Sequence, residues 1–385
     1  MPYARLSGFY FFYFALLGVL VPYWTLYLES LSFSAEVIGM LMGVLHLSRV
    51  IAPNLWGWLA DVTGQRVRIV QLGALAAWLC FLVIFWQQQA LGVGLVMLAF
   101  SFFWNAVLPQ FEVITLDHLG ARSTEYSRIR MWGSIGFIVA VVLVGWLLDQ
   151  VALDRLPQVV CLLLLLIWLN TLLIGRAKQA CDEAVAESAV GLKVILLQPQ
   201  VLAFFAVCFL VQFGHGPYYT FYSVLMQELG HDRAAIGLLW ALGVVAEVIL
   251  FMLMPRLLGR FGCRGIMLVS LLLCVLRWGV TAILPEVLVA MLLAQLLHAA
   301  TFGCLHAVGI ALVQHYFTPA TSGRGQALFS SLGFGAGGVC GAVISGVFWD
   351  ELGQYTFLLA ALASLLAFVL ALIWIHPDRW RHPSV

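Results

Sequence analysis

Charge is scarce in this sequence. Of 385 residues, 10% are Asp, Glu, Lys or Arg, where a soluble domain carries about 25%. The few charges nearly cancel, at 19 basic against 18 acidic residues, so no basic excess points to nucleic acid as a partner. A CxxC pair is missing. Cys80, Cys161, Cys208, Cys274 and Cys304 sit singly in apolar runs with no clustered His, which argues against a metal centre and reads as small buried hydrophobes. GxSxG, HExxH, P-loop and GxGxxG motifs are absent in any supporting context, so nothing marks an enzyme or calls for a cofactor. No large polar domain is present through which a receptor could signal.

What is present is apolar: 63% of the chain is hydrophobic. A soluble core cannot absorb that much apolar surface, whereas a bilayer can. With about 20 apolar residues needed per crossing, twelve transmembrane helices are expected near 6–28, 35–60, 67–87, 91–117, 130–149, 157–175, 200–226, 233–254, 265–284, 286–311, 323–348 and 353–375. The first run is too long for a signal peptide and lacks an A-x-A site, so it is expected to be retained. Pro285 is the short turn between the ninth and tenth helices.

Basic residues orient the chain. Arg5, Arg66, Arg68, Arg122, Arg128, Arg176, Lys178, Lys193, Arg256, Arg260, Arg264, Arg324, Arg379 and Arg381 fall on one side, and Arg155 and Arg233 on the other. The excess of Lys and Arg marks the cytoplasmic side. Both termini are then expected in the cytoplasm, which requires an even number of crossings. A polar stretch with Lys178, Asp182, Glu183, Glu187 and Lys193 divides the chain into an N-terminal six-helix bundle (1–175), a cytoplasmic linker (176–199) and a C-terminal six-helix bundle (200–385).

The two halves repeat. Pro22-Tyr23-Trp24-Thr25-Leu26-Tyr27 matches Pro217-Tyr218-Tyr219-Thr220-Phe221-Tyr222. Ile38 and Gly39 align with Ile236 and Gly237, Gly64 with Gly262, Arg66 with Arg264, and Gly136 with Gly333. Parallel repeats of six helices are one way in which secondary transporters are built, with the substrate site between the repeats near the bilayer midplane.

The segment Gly57-Trp58-Leu59-Ala60-Asp61-Val62-Thr63-Gly64-Gln65-Arg66 resembles the GxxxD(R/K)xGR(R/K) loop of the major facilitator superfamily, departing from it at Val62 and Gln65. The resemblance implies an all-α membrane protein of two pseudo-symmetric bundles, the major facilitator fold. Asp61 would cap or pair at a cytoplasmic helix end, or stand as a solvated loop acid. Within the superfamily the chain is similar to the oligosaccharide/proton symporters. Pro109-Gln110-Phe111-Glu112 and Arg128-Ile129-Arg130-Met131-Trp132-Gly133-Ser134 place a Glu and an Arg at the separation that binds sugar in lactose permease. The stretches around Tyr218, Glu247, Arg277-Trp278-Gly279 and His298 more closely resemble the phenylpropionate permease family. Gln295, His298 and Thr301 stand where lactose permease has Lys, His and Glu, so its coupling chemistry does not transfer whole.

Charged side chains in mid-membrane cost at least about 2.5–3.5 kcal/mol each and face cavities or one another. Here they are Arg49, Glu112, Arg130, Glu247 and Arg277, with His46, His215, His298 and His306 nearby. Glu112 and Arg130 read as a substrate anchor or as a pair tying two helices. Arg49 and Glu247 occupy equivalent repeat positions, and the resemblance makes them either a gating pair or a static one; His46 lies one turn from Arg49. Glu247, Arg277 and His298 are the proton-coupling candidates. The resemblance further implies that Tyr23, Trp24 and Tyr219 line the cavity and that Phe137 stands where lactose permease has a stacking Trp. Trp278 and Trp374 are expected at the interface or facing lipid.

Three intramembrane Arg against two Glu leave one positive charge, which with aromatic walls suits a small aromatic carboxylate. The expected protein is a proton-coupled importer of such a solute, acting as a monomer in a bacterial cytoplasmic membrane. A sugar or nucleoside symporter and a drug-exporting antiporter are the alternatives. The exporter motif late in helix five has a Pro, and none stands near Gly133, Gly136 or Gly145.

Overall fold

In the computed structural model, residues 2–175, 192–318 and 321–377 are described, and the expected linker falls largely outside them, at 176–191. Among the described residues the chain is helical throughout, with ten helices long and apolar enough to cross a bilayer. Two of the ten run for 51 and 53 residues. A helix of 51 residues is about 76 Å long, more than twice the hydrocarbon thickness. Each of the two holds a glycine with positive φ, Gly262 at 66° and Gly353 at 50°, where the chain turns back. Counting both as two crossings gives twelve.

The N-terminal half runs α1 (Tyr3–Ser30), α2 (Ala35–Thr63), α3 (Arg66–Leu82), α4 (Ala90–Leu119), α5 (Tyr126–Gln150) and α6 (Leu156–Leu172). Ends follow local chemistry. The Oγ of Ser34 accepts from the Val37 N–H at the start of α2, and Gly64 closes it in the left-handed conformation. Gly262, its partner in the repeat, has nearly the same φ, 66° against 62°. Arg5 donates to the Leu173 carbonyl past the end of α6, where a cation favours the helix dipole.

The second half begins with the short α7 (Leu192–Leu196), then α8 (Pro199–Gly214) and α9 (Gly216–Glu228), which His215 divides. It continues through α10 (Arg233–Ile283), α11 (Leu288–Leu296) and α12 (Leu305–Tyr316), and then α13 (Ser322–Leu328), α14 (Gly338–Leu352) and α15 (Thr356–Trp374). Two stretches, Ala299–Cys304 and Phe329–Gly337, widen into π-helical turns, a geometry found often at functional sites.

The residues group into two compact units, 1–182 with 220–241, and 183–219 with 242–385. In the first unit α1 lies along α5 and α6, and α4 along α2 and α3. Residues 220–241, which the repeat assigns to the second half, group here because Asp149 accepts from the backbone N–H groups of Arg233 and Ala234 at 2.9 Å each. Tyr23 Oη also reaches the Arg233 carbonyl. In the second unit α8 packs on α14 and α15. Small residues allow the closest approaches in both units. A Cβ on Gly136 would strike the Phe11 carbonyl, and one on Gly341 would strike that of Phe213.

Candidate functional site

Two polar clusters stand inside the apolar helices, one in each unit. The first lies where α1, α4 and α5 meet. Arg130 Nε is 4.0 Å from Glu112 Oε1, beyond hydrogen-bond reach. The carboxylate instead accepts from the Tyr126 hydroxyl at 3.3 Å. Tyr126 stands one helical turn before Arg130, so both share a face of α5. The Arg130 guanidinium lies 3.9 Å over the ring of Phe14 and 5.6 Å from that of Tyr10. About a third of each charged side chain is exposed, 32% for Arg130 and 38% for Glu112. The cluster is therefore a cation resting on an aromatic face, with a carboxylate close enough to neutralise it and too far to lock it.

Neighbouring rings hold this corner rigid. Phe9 stacks on Phe111 at 3.6 Å and Tyr13 on Trp104 at 4.9 Å. Tyr10 donates to Thr115, which donates on to the Phe111 carbonyl. On α2, Ser48 accepts from Asn105 of α4 at 2.7 Å, and His46 and Arg49 beside it are half-buried. Asp61 pairs with Arg66 across the loop after α2, with 67% of its side chain exposed.

The expected cavity aromatics of α1 lie elsewhere. Tyr23 is fully buried, and its hydroxyl donates to the Val141 carbonyl at 2.6 Å. Trp24 is fully buried and donates to the Met97 sulfur while packing on Phe81. Nine residues, about 13 Å of helix rise, separate Tyr23 from Phe14, so neither Tyr23 nor Trp24 reaches the Glu112–Arg130 cluster. Phe137 is buried at the crossing of α5 with Gly18 of α1.

The second cluster joins Glu247 and Arg277 of α10 to His298 and Thr301. Arg277 is 1% exposed. Its Nη1 donates to His298 Nδ1 at 3.1 Å and to Thr301 Oγ1 at 2.9 Å. Its guanidinium lies 4.3 Å from the rings of both Tyr218 and Trp278. Trp278 is thus wholly buried rather than lipid-facing, because a desolvated guanidinium gains from an aromatic face. His298 Nε2 lies 3.7 Å from Glu247 Oε2. Two glycines bring these helices together: a Cβ on Gly243 would touch Gln295 and His298, and one on Gly303 would press on the Glu247 side chain. Tyr218 donates to Gln295 at 2.7 Å, and Tyr219 stacks on His215.

The structure therefore brings Glu112 to Arg130, Glu247 to His298, and His298 to Arg277. Phe14 and Tyr126 are not among the site residues expected from sequence. The four-residue spacing to Arg130 could have found Tyr126. Phe14 has no such signal, since it comes from another helix 116 positions away. Among the described residues no group of His, Cys, Asp and Glu could hold a metal ion.

Comparison with known proteins agrees with this architecture. The pattern of the MFS_1 like family matches residues 3–359. The chain is 29% identical over 373 residues to the "Probable 3-phenylpropionic acid transporter" of Escherichia coli (strain K12), covering 94% of this chain and 95% of that one. It is also 29% identical over 275 residues to the maltose permease of Geobacillus stearothermophilus, covering 70% and 68%. The crystal structure of a point mutant of the nucleoside transporter NupG superposes with a TM-score of 0.85 at 20% identity, over 97% of this chain and all of that one.

Proposed function

We propose that this chain, which belongs to the MFS_1 like family of major facilitator transporters, imports a small aromatic carboxylate such as 3-phenylpropionate in symport with protons. Alternating access would carry the solute past a substrate site. One observation carries the choice of substrate: Arg130 rests on Phe14 and is only loosely opposed by Glu112. A guanidinium presented in that way suits planar two-pronged recognition of a carboxylate. Aromatic rings beside it suit a phenyl group, and the relative named for 3-phenylpropionic acid supports the same reading.

Glu112 and Arg130 are the proposed anchor. Tyr10, Phe14 and Tyr126 take the aromatic role that the sequence suggests for Tyr23 and Trp24, whose polar atoms are engaged in packing; Phe137 and Tyr219 remain candidate walls. For coupling we assign Glu247 as the proton carrier, with Arg277 and His298 as its partners. Arg49, His46 and Asp61 are proposed to act in gating. The two transport halves are taken as 1–175 and 200–385, joined by a cytoplasmic linker at 176–199. The setting is the bacterial cytoplasmic membrane, with both termini inside and the monomer as the working unit.

A second reading is nucleoside or sugar symport. The likeness to the nucleoside transporter structure and the maltose permease favours it, and Glu112 could accept hydroxyl hydrogens. Uptake of labelled 3-phenylpropionate into proteoliposomes, with and without an inward proton gradient, tests the proposal. Accumulation that needs the gradient, and that uridine and maltose fail to inhibit, is expected. Gradient-driven uptake of uridine or maltose alone would replace it with the second reading.

A further inference from the structure

A free arginine side chain samples many rotamers, and beside a carboxylate it closes readily into a two-pronged ion pair. Arg130 does not do so. Its nearest approach to Glu112 is 4.0 Å, made through Nε alone. Its guanidinium carbon instead lies 3.9 Å over the Phe14 ring, the distance of flat stacking. The helix beneath has the shape this needs. Gly133 is one turn beyond Arg130, and a Cβ there would come within 2.8 Å of both Arg130 Nη1 and Phe14 Cδ2. Nothing larger than hydrogen fits between the ring and the guanidinium's end of the helix without displacing one of them. Three residues on, Gly136 lets α5 approach the backbone of Phe11, so α1 and α5 run close together where Phe14 meets Arg130.

We infer that Phe14 is a positioning residue for the anion site: its ring is the shelf on which Arg130 lies, and Gly133 is the gap that keeps it there. The shelf holds the guanidinium away from Glu112, which approaches it no closer than 4.0 Å at Nε, so its N–H groups are left for a substrate carboxylate. Without it, Arg130 closes onto Glu112 and its N–H donors are taken up by that carboxylate. Selectivity for an anion over a neutral isostere then depends on Phe14, although Phe14 carries no charge. This inference rests on the reading of Arg130 as the substrate anchor.

The test measures binding of 3-phenylpropionate and of its uncharged amide, 3-phenylpropanamide, to the purified full-length protein. The wild-type chain is expected to prefer the carboxylate. Phe14→Leu and Gly133→Ala should each lower that preference roughly tenfold, the scale of a partly desolvated cation–π contact, read as the ratio of the two affinities within each variant, in which any loss of the phenyl contact that both ligands share cancels. Phe14→Tyr, which restores the face, should restore the preference. If the wild type prefers the carboxylate, Arg130→Lys abolishes the preference and Phe14→Leu retains it, the shelf is overturned and the anchor stands. If the wild type has no preference, or binds neither compound, the anchor itself is overturned and the shelf with it. If Phe14→Leu loses both ligands and Phe14→Tyr does not recover them, the ring has a packing role and the inference fails.

Discussion

Arg277 donates through Nη1 to Nδ1 of His298 at 3.1 Å. An arginine has no acceptor, so Nδ1 must hold a lone pair, and the proton of a neutral imidazole then sits on Nε2. That nitrogen faces Glu247 Oε2 at 3.7 Å. Protonating His298 would break its bond to Arg277 and set a second cation against the first. We therefore propose the carboxylate as the group that takes and releases a proton, with the imidazole standing between it and the arginine.

Glu247→Gln mimics the protonated carrier. It should block uphill accumulation, which requires proton release inside, and largely spare exchange of internal for external substrate. Both modes measured in the same vesicles decide this. Equal loss of the two would make Glu247 a structural partner, and full accumulation would move the proton site to Glu112. Arg277→Ala should resemble Glu247→Gln, because it removes the charge that expels the proton.

His298 is expected to act as a link and not as a carrier. Gln has both an acceptor oxygen and a donor nitrogen, so His298→Gln should keep a large share of accumulation. His298→Ala should lose most of it while exchange persists. Gradient-driven uptake by both variants is the measurement, and equal failure would point to a titrating imidazole.

Arg130→Lys should weaken carboxylate binding at least about tenfold, since a point charge cannot reproduce a planar fork. Competition binding with 3-phenylpropionate checks it. Unchanged affinity would show that the solute is held elsewhere.

Asp149 caps the first turn of α10 by accepting from the N–H groups of Arg233 and Ala234. Loss of such a cap costs about 1–2 kcal/mol. Asp149→Ala should lower the melting temperature of the detergent-purified protein by a few degrees, and Asp149→Asn, which keeps one acceptor oxygen for two N–H donors, should recover only part of that. Melting curves of the two variants side by side give the comparison.

Much of this protein is legible in its sequence, for reasons set by the membrane. An apolar solvent forces backbone groups into helices of nearly fixed length, so apolar runs announce the crossings. The repeat is readable too, and Gly64 and Gly262, aligned by sequence, share a positive φ of nearly the same value. Charged groups are costly in lipid, so Glu112, Arg130, Glu247, Arg277 and His298 stand out along the apolar runs, and they fall into two clusters. What tertiary structure alone decided is how each charge is held. Trp278 reads as lipid-facing because nothing local shows which side of a wholly apolar helix turns inward; the crossing with Tyr218 and His298 buries it on Arg277. Tyr23 shares a helix with Phe14, yet one ends on backbone carbonyls and the other under a guanidinium. In the sequence both are simply aromatic residues of α1. Their difference comes from where α1 crosses α5, an angle and depth set by contacts such as Gly18 on Phe137 and Gly136 on Phe11, which join positions more than 100 residues apart.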